Sequence, residues 1–371
     1  MEKMPKWADV VLIPLISLLL AAIISGIVIL ALGSNPIAAL KIMVHGALGS
    51  QYNFGNTLYY ATNFIFTGLA VAVAAHAGLF NIGGEGQAML GGLGVAIVCL
   101  MIPFPHWSLA LICSIAGAAA AGALWALVPA YLQAKRGSHI VITTIMFNQI
   151  AFALLNYLLV GPLKAPGGME PASATFPATT HLPNFHDMLA PFGIAFSRGA
   201  MANFSFVVAI LACVAVWVLI WHTRLGYEMR SLGKSEPAAK YAGISPFKII
   251  MITMAISGGL AGMMALNNVQ GEAERLILGS VEGAGFIGIA VALMGRNHPI
   301  GIFLAALLFG VLYQGGMSLS QDQTLRIPRE LVVVIQALVI LFTGALDSMV
   351  RMPVEKFFIS LRQGKAAKAA E

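Results

Sequence analysis

Phe204-Ser-Phe-Val-Val-Ala-Ile-Leu-Ala-Cys-Val-Ala-Val-Trp-Val-Leu-Ile-Trp221 is a near-continuous apolar run, and Ile249-Ile-Met-Ile-Thr-Met-Ala-Ile-Ser-Gly-Gly-Leu-Ala-Gly-Met-Met-Ala-Leu266 is a second. Each approaches the roughly 20 residues that carry a helix across a hydrocarbon core. No water is present there to satisfy backbone groups, so a run of this kind must close its hydrogen bonds within itself, as a helix. Between the two lies one compact basic segment, His222-Thr-Arg-Leu-Gly-Tyr-Glu-Met-Arg-Ser-Leu-Gly-Lys-Ser-Glu-Pro-Ala-Ala-Lys-Tyr-Ala-Gly-Ile-Ser-Pro-Phe-Lys248. Its centre predicts a short helix. Ser235 suits the N-cap, Glu236 and Pro237 suit the first turn, and Gly243 suits the left-handed position past the end. A helix of about two turns is not stable alone in water, so something outside the membrane is expected to hold it.

The rest of the chain reads the same way. Of 371 residues, 59% are hydrophobic and 10% charged, and the mean hydropathy is +0.86. Soluble domains carry roughly 25% charged residues, so the fold class is an all-α, polytopic integral membrane protein. The interruptions predict about ten transmembrane helices, near 11–32, 60–79, 85–103, 108–134, 138–160, 204–221, 249–267, 282–296, 299–318 and 330–350. The chain is expected to form a single transmembrane domain over residues 1–371. It carries an external loop near 161–203, a cytoplasmic loop near 222–248 and a cytoplasmic tail near 351–371. Lys3 and Lys6 precede an apolar run too long for a signal peptide, so a retained first span is expected.

Charge placement orients these spans. With both termini inside, the cytoplasmic side holds Lys3, Lys6, Lys135, Arg136, Arg224, Arg230, Lys234, Lys240, Lys248, Arg296, Arg351, Lys356, Arg362, Lys365 and Lys368. The outside holds Lys41, Lys164, Arg198, Arg275, Arg326 and Arg329, six of the 21 basic residues. That asymmetry obeys the positive-inside rule. The net charge of +6 then reports orientation and anionic membrane lipids, and implies no nucleic acid.

Two glycine-rich stretches interrupt the spans. Gly78-Leu-Phe-Asn-Ile-Gly-Gly-Glu-Gly-Gln87 stands where the second span hands over to the third. A broken helix at membrane depth is tolerated only where protein or a watery cavity surrounds it, and Glu85 there needs a partner or a pathway. A tight cytoplasmic turn with Glu85 in water fits the pattern equally well. Residues 283–301, which hold Gly283, Gly285, Gly288, Gly295 and Gly301, echo that arrangement. Interrupted segments in two halves of a transporter point to its translocation site, although close helix packing also calls for glycines. The loop 161–203 contains Pro162, Pro166, Pro171, Pro177, Pro183 and Pro191, a density that excludes one continuous helix. Cys99, Cys113 and Cys213 fall inside apolar runs, and neither they nor the scattered histidines make a metal-ligand spacing. Gly233-Lys234-Ser235 imitates the end of a phosphate-binding loop, but Glu228 stands at the earlier glycine and a membrane span precedes it. No enzymatic constellation is expected.

These residues resemble the permease subunits of bacterial ABC importers, in the group of branched-chain amino acid and ribose permeases. Phe80-Asn-Ile-Gly-Gly-Glu-Gly-Gln87 is close to the Asn-Ile-Gly-x-Glu-Gly-Gln pattern of the nucleoside-type branch. Gly285-Phe286, Ile289-Ala-Val-Ala-Leu-Met-Gly295 and Pro299-Ile-Gly301 form a second match. The basic loop is similar to the Glu-Ala-Ala-x-x-x-Gly coupling motif, with Pro237 at the usual Glu and Glu236 one place earlier. Asn148 matches a further pattern, in which Ile140 replaces a Glu.

The resemblance implies a non-catalytic transport subunit in the inner membrane that binds no cofactor itself. It implies a second permease as partner (a heterodimer), a cytoplasmic ATPase holding ATP and magnesium, and an external substrate-binding lipoprotein. Phe80, Asn81, Glu85, Gln87, Phe147 and Asn148 would line the substrate pathway. Arg230, Glu236, Ala239, Lys240 and Gly243 would couple it to the ATPase. The implied cargo is a nucleoside. A simple sugar or a branched-chain amino acid is the alternative within the class, and an ion-coupled secondary transporter or a scaffold protein is the alternative outside it.

Overall fold

The computed structural model describes residues 12–31, 33–193, 195–322, 327, 329–342, 352–356 and 359. The basic residues Lys3, Lys6, Arg326, Arg351, Arg362, Lys365 and Lys368, the end of the tenth span and most of the tail 351–371 lie outside them. The described residues are helical, with α1 (Ile13–Ala31), α2 (Pro36–Leu48), α3 (Gln51–His76), α4 (Gly84–Met101), α5 (Trp107–Arg136), α6 (Ile140–Val160), α7 (Phe185–Leu189) and α8 (Ser205–His222). There follow α9 (Arg224–Lys234), α10 (Glu236–Tyr241), α11 (Pro246–Met263), a π-helical segment (Leu266–Glu272), α12 (Ala284–Met294), α13 (Pro299–Gln321) and α14 (Arg329–Ile340). Among the described residues, seven helices are long and apolar enough to cross a membrane, or eight if the bent pair α1–α2 forms one span. The chain is an all-α polytopic membrane protein.

Each of the ten sequence segments holds a helix, but three readings need correction. α3 begins at Gln51, nine residues before the expected start at 60, because Ser50 caps it by accepting from the Asn53 amide at 3.1 Å. The connection before it contains the helix α2. The expected span at 282–296 is only the eleven-residue α12, too short to cross a core about 30 Å thick at 1.5 Å per residue. The basic loop holds two helices instead of one, since α9 precedes the expected short helix.

Two compact units are formed, one from residues 1–46 and 312–371 and one from residues 47–311. In the first, Ile29, Ala39, Leu319, Ile327, Val332 and Ile335 make the buried cluster. There Gln314 Nε2 and Ser318 Oγ donate to the Gly46 carbonyl at 3.3 and 3.1 Å.

The second unit is organised around glycine crossings. In α5, Ala118, Gly122 and Ala126 face Gly258 and Gly262 of α11. A β-carbon on Gly258 would meet the Ala126 β-carbon and the Gly122 carbonyl at 2.5 Å, and one on Gly262 would strike the Ala118 carbonyl. Gly91 of α4 sits against Gly262, and Gly94 against Gly117 of α5. In lipid no hydrophobic force drives helix against helix, so close backbone approach between small residues supplies the contact. α3, the first span of this unit, is buried along almost its whole length from Gly55 to Ala74.

Candidate functional site: two opposed helix starts at glycine backbones

The two glycine stretches meet in the second unit. α3 ends beside the basic helices: Gly78 packs on Gly233 at the end of α9, and His76 Nε2 lies 3.0 Å from the Asn297 carbonyl just past α12. The end of α12 therefore lies at the same basic end as the end of α3. Eleven residues earlier α12 begins, about 16 Å away at 1.5 Å per residue, or about half a hydrocarbon core. There Gly283 and Gly285 donate their backbone amides to Glu85 Oε1 and Oε2, both at 2.9 Å.

That contact sets the level of both elements. After α3 the chain turns back in the non-helical segment 79–83 and starts α4 at mid-depth. α4 then runs away from the basic end, where Cys99 approaches Ser114 early in α5 at 3.5 Å. After α11 and its π segment, residues 273–283 return along α4, with Leu276 against Gly92, and α12 starts at the Glu85 level. The eighteen-residue α4 thus leads from this junction toward one face, and the eleven-residue α12 leads toward the opposite, basic face. Their N-termini meet at glycine backbones, and a β-carbon on Gly285 would be driven into the Glu85 backbone nitrogen. Glu282 and Gly283, with φ of 47° and 79°, form the left-handed corner from which α12 departs.

Side chains fasten the start of α4 on every side. Asn81 Oδ1 accepts from the Gly83 amide at 2.9 Å, while Asn81 Nδ2 donates to Gln87 Oε1 and Ser257 Oγ, both at 2.8 Å. Ser257 Oγ donates onward to the Ala70 carbonyl in α3 at 2.6 Å. Asn148 in α6 accepts from the Gly86 amide and donates to the Ile82 carbonyl, both at 2.9 Å. Asn81, Glu85, Gln87 and Asn148 are buried, so the tight turn with a solvated Glu85 does not describe the structure. Phe80 is 37% exposed. Phe147 lies outside the cluster, half-buried against Trp125 with ring centroids 5.3 Å apart.

A second polar knot escaped the sequence. Asn267, at the start of the π segment, donates to the Tyr59 carbonyl and to Asn63 Oδ1, both at 2.8 Å. Its own Oδ1 accepts from Asn203 Nδ2 at 3.0 Å and from Ser205 Oγ at 2.9 Å. All four side chains are buried. Unpaired amides inside a membrane bundle are costly, so an amide in or beside an apolar run implies a partner; Asn63 and Asn267 carried that signal.

The loop 161–203 is stitched down. Ser173 N donates to the Leu276 carbonyl and Leu276 N to Ser173 Oγ, both at 2.9 Å. Gln270 Nε2 donates to the Thr180 carbonyl at 2.9 Å, and His181 lies 2.9 Å from Glu274. At the basic end, Ser235 Oγ accepts from the Ala238 amide at 3.4 Å and Gly243 has φ 79°, as the sequence of the short helix predicts. Ala239 is buried, and Lys240 and Glu236 pair across one helical turn at 2.7 Å. Arg230 Nε reaches the Gly226 carbonyl at 3.4 Å. α9 carries its own signal, with Thr223 as N-cap and Met229 and Leu232 on one buried stripe.

The family model for the branched-chain amino acid transport system permease component matches residues 53–344. The chain is 36% identical to the glucose ABC transporter permease protein TsgB13 of Haloferax volcanii, over 89% of this chain and 86% of that protein. It is 34% identical to the guanosine ABC transporter permease protein NupP of Bacillus subtilis, over 92% and 95%. It is 33% identical to the nucleoside ABC transporter permease protein NupB of Lactococcus lactis, over 97% and 96%. Each of these two bacteria has a further such permease that matches at 28%, NupQ over 68% of this chain and NupC over 70%. The chain belongs to this family of ABC transporter permeases, as a multi-pass membrane transport subunit.

Proposed function

We propose that this chain is one of two permease subunits of an ATP-driven importer and carries nucleosides inward. The single observation that carries the cargo is the pair of relatives named for guanosine and nucleosides, each covering more than nine-tenths of this chain. The Phe80–Gln87 motif supports the same branch. Two permeases of this family in each of those bacteria support a second, non-identical permease as partner.

In this reading the opposed elements around Glu85 border the pathway. The exposed ring of Phe80 offers a face on which a base can stack. Asn81, Glu85, Gln87 and Asn148 shape the wall, and Phe147, next to Asn148 on α6, supports it from behind through its packing on Trp125. α10 docks on a separate cytoplasmic ATPase that holds ATP and magnesium, through Glu236, Lys240 and Gly243, while buried Ala239 seats the helix on this chain and Arg230 of α9 lies beside it. ATP-driven closure of that ATPase moves the docked helices and shifts the bundle between two states. A substrate-binding lipoprotein delivers cargo to the side of loop 161–203, and both termini lie in the cytoplasm. The relative named for glucose makes a simple sugar the second reading.

The cargo is tested by competition. Uptake of labelled guanosine by cells expressing the whole transporter should fall with excess unlabelled adenosine or uridine and persist with excess glucose. Competition by glucose alone would transfer the reading to a sugar.

A further inference from the structure

Glu85 is buried at mid-depth, and both of its oxygens are occupied by backbone amides of another element 198 and 200 residues away. A carboxylate in that setting carries a desolvation cost that only well-made hydrogen bonds offset. In the first turn of α4 the Gly83 and Gly86 amides already have acceptors in Asn81 and Asn148, and the Glu85 carboxylate turns away to α12. The start of α12 needs it, since no side chain of its own caps that end. Cargo would have to displace two charge-assisted bonds to reach the carboxylate.

Resting on the reading of this junction as the wall of a transport pathway, we propose that Glu85 is a positioning residue. It binds the starts of α4 and α12 into one body, so that motion arriving at the basic end of α12 is transmitted to α4. It makes no contact with cargo. The glycines fit that role, for Gly84 and Gly285 bring the two backbones together while Glu85 supplies the bond. Nothing else in the described residues links the first turns of these helices by side-chain hydrogen bonds. Asn81, Gln87 and Asn148 tie α4 to α3, α6 and α11 instead.

The test uses the assembled transporter in proteoliposomes and the variants Glu85→Ala and Glu85→Gln. Glu85→Ala should lower the maximal uptake rate by about tenfold, the scale of one lost charged hydrogen bond, and leave the half-saturating cargo concentration unchanged. Formate, which can occupy the vacated space and accept from both amides, should restore the rate of Glu85→Ala, and chloride should not. Glu85→Gln presents an amide N–H to one of the two donors, so it should also be slow. In both variants hydrogen–deuterium exchange should accelerate at residues 283–286 without cargo present. This readout stands even if the cargo proves not to be a nucleoside. A raised half-saturating concentration with an unchanged maximal rate would make Glu85 a cargo contact and overturn the proposal. Folded Glu85→Ala that formate fails to rescue would also overturn it. If Glu85→Ala does not assemble, unchanged exchange at 283–286 in Glu85→Gln would do the same.

Discussion

Replacing Asn267 with leucine removes one side chain that holds three parts of the bundle together. The amide donates to the Tyr59 carbonyl and Asn63 in α3 and accepts from Asn203 and Ser205 at the start of α8, between 2.8 and 3.0 Å. Interhelical hydrogen bonds in membrane bundles average roughly 0.6 kcal/mol in double-mutant cycles, so four lost bonds amount to about 2 kcal/mol. The loss is moderated at Asn203, whose Nδ2 still reaches the Met201 carbonyl at 3.1 Å. It is aggravated at Asn63, whose Oδ1 is left facing an apolar side chain. Unfolding of the purified protein in mixed micelles, titrated with a denaturing detergent, reads the difference. Gln149→Leu serves as control because Gln149 is exposed on the surface of α6, and it should cost nothing measurable. The cycle with Asn63→Ala should return a coupling of about 0.6 kcal/mol or more. An Asn267→Leu protein as stable as the parent, with no coupling to Asn63, would refute the view that this knot ties α3, α8 and the π segment together.

Other consequences are as concrete. Gly122→Leu should open the α5–α11 crossing, where glycine backbones touch, and cost about 1–3 kcal/mol, read as a lower unfolding midpoint and loss of monodispersity on size exclusion. Gly243→Ala, at φ 79°, should destabilise the end of α10 by about 1 kcal/mol. Ser235→Ala should remove a long cap bond and cost at the low end of about 0.5–2 kcal/mol. Both changes should speed hydrogen exchange over residues 236–243 and reduce retention of the ATPase on the purified permease.

The sequence made the local features legible and left the long-range ones hidden. Apolar runs located the helices because roughly 20 residues must be apolar to cross lipid. Ser235, Pro237 and Gly243 announced α10 because capping is decided within a few residues. The depth of α12 was not legible: residues 273–283 carry glycine, serine and glutamate, a composition that reads as an external loop. Only the bonds from Gly283 and Gly285 to Glu85 fix that segment at mid-depth. The family pattern marked Glu85, Asn81, Gln87 and Asn148 and the structure gathers them, while Phe147 stands apart against Trp125. Ser257 and Asn267 went unnoticed because each lies in or beside an apolar run, and its partners come from helices distant in sequence.

The central claim is ATP-driven import through this chain, and one measurement tests it most directly. The permease would be reconstituted in proteoliposomes with its second permease, ATPase and binding protein, and labelled guanosine uptake followed with and without ATP on the ATPase side. Uptake should require ATP and the binding protein and be indifferent to proton or sodium gradients. Uptake driven by an ion gradient in the absence of the ATPase would contradict it.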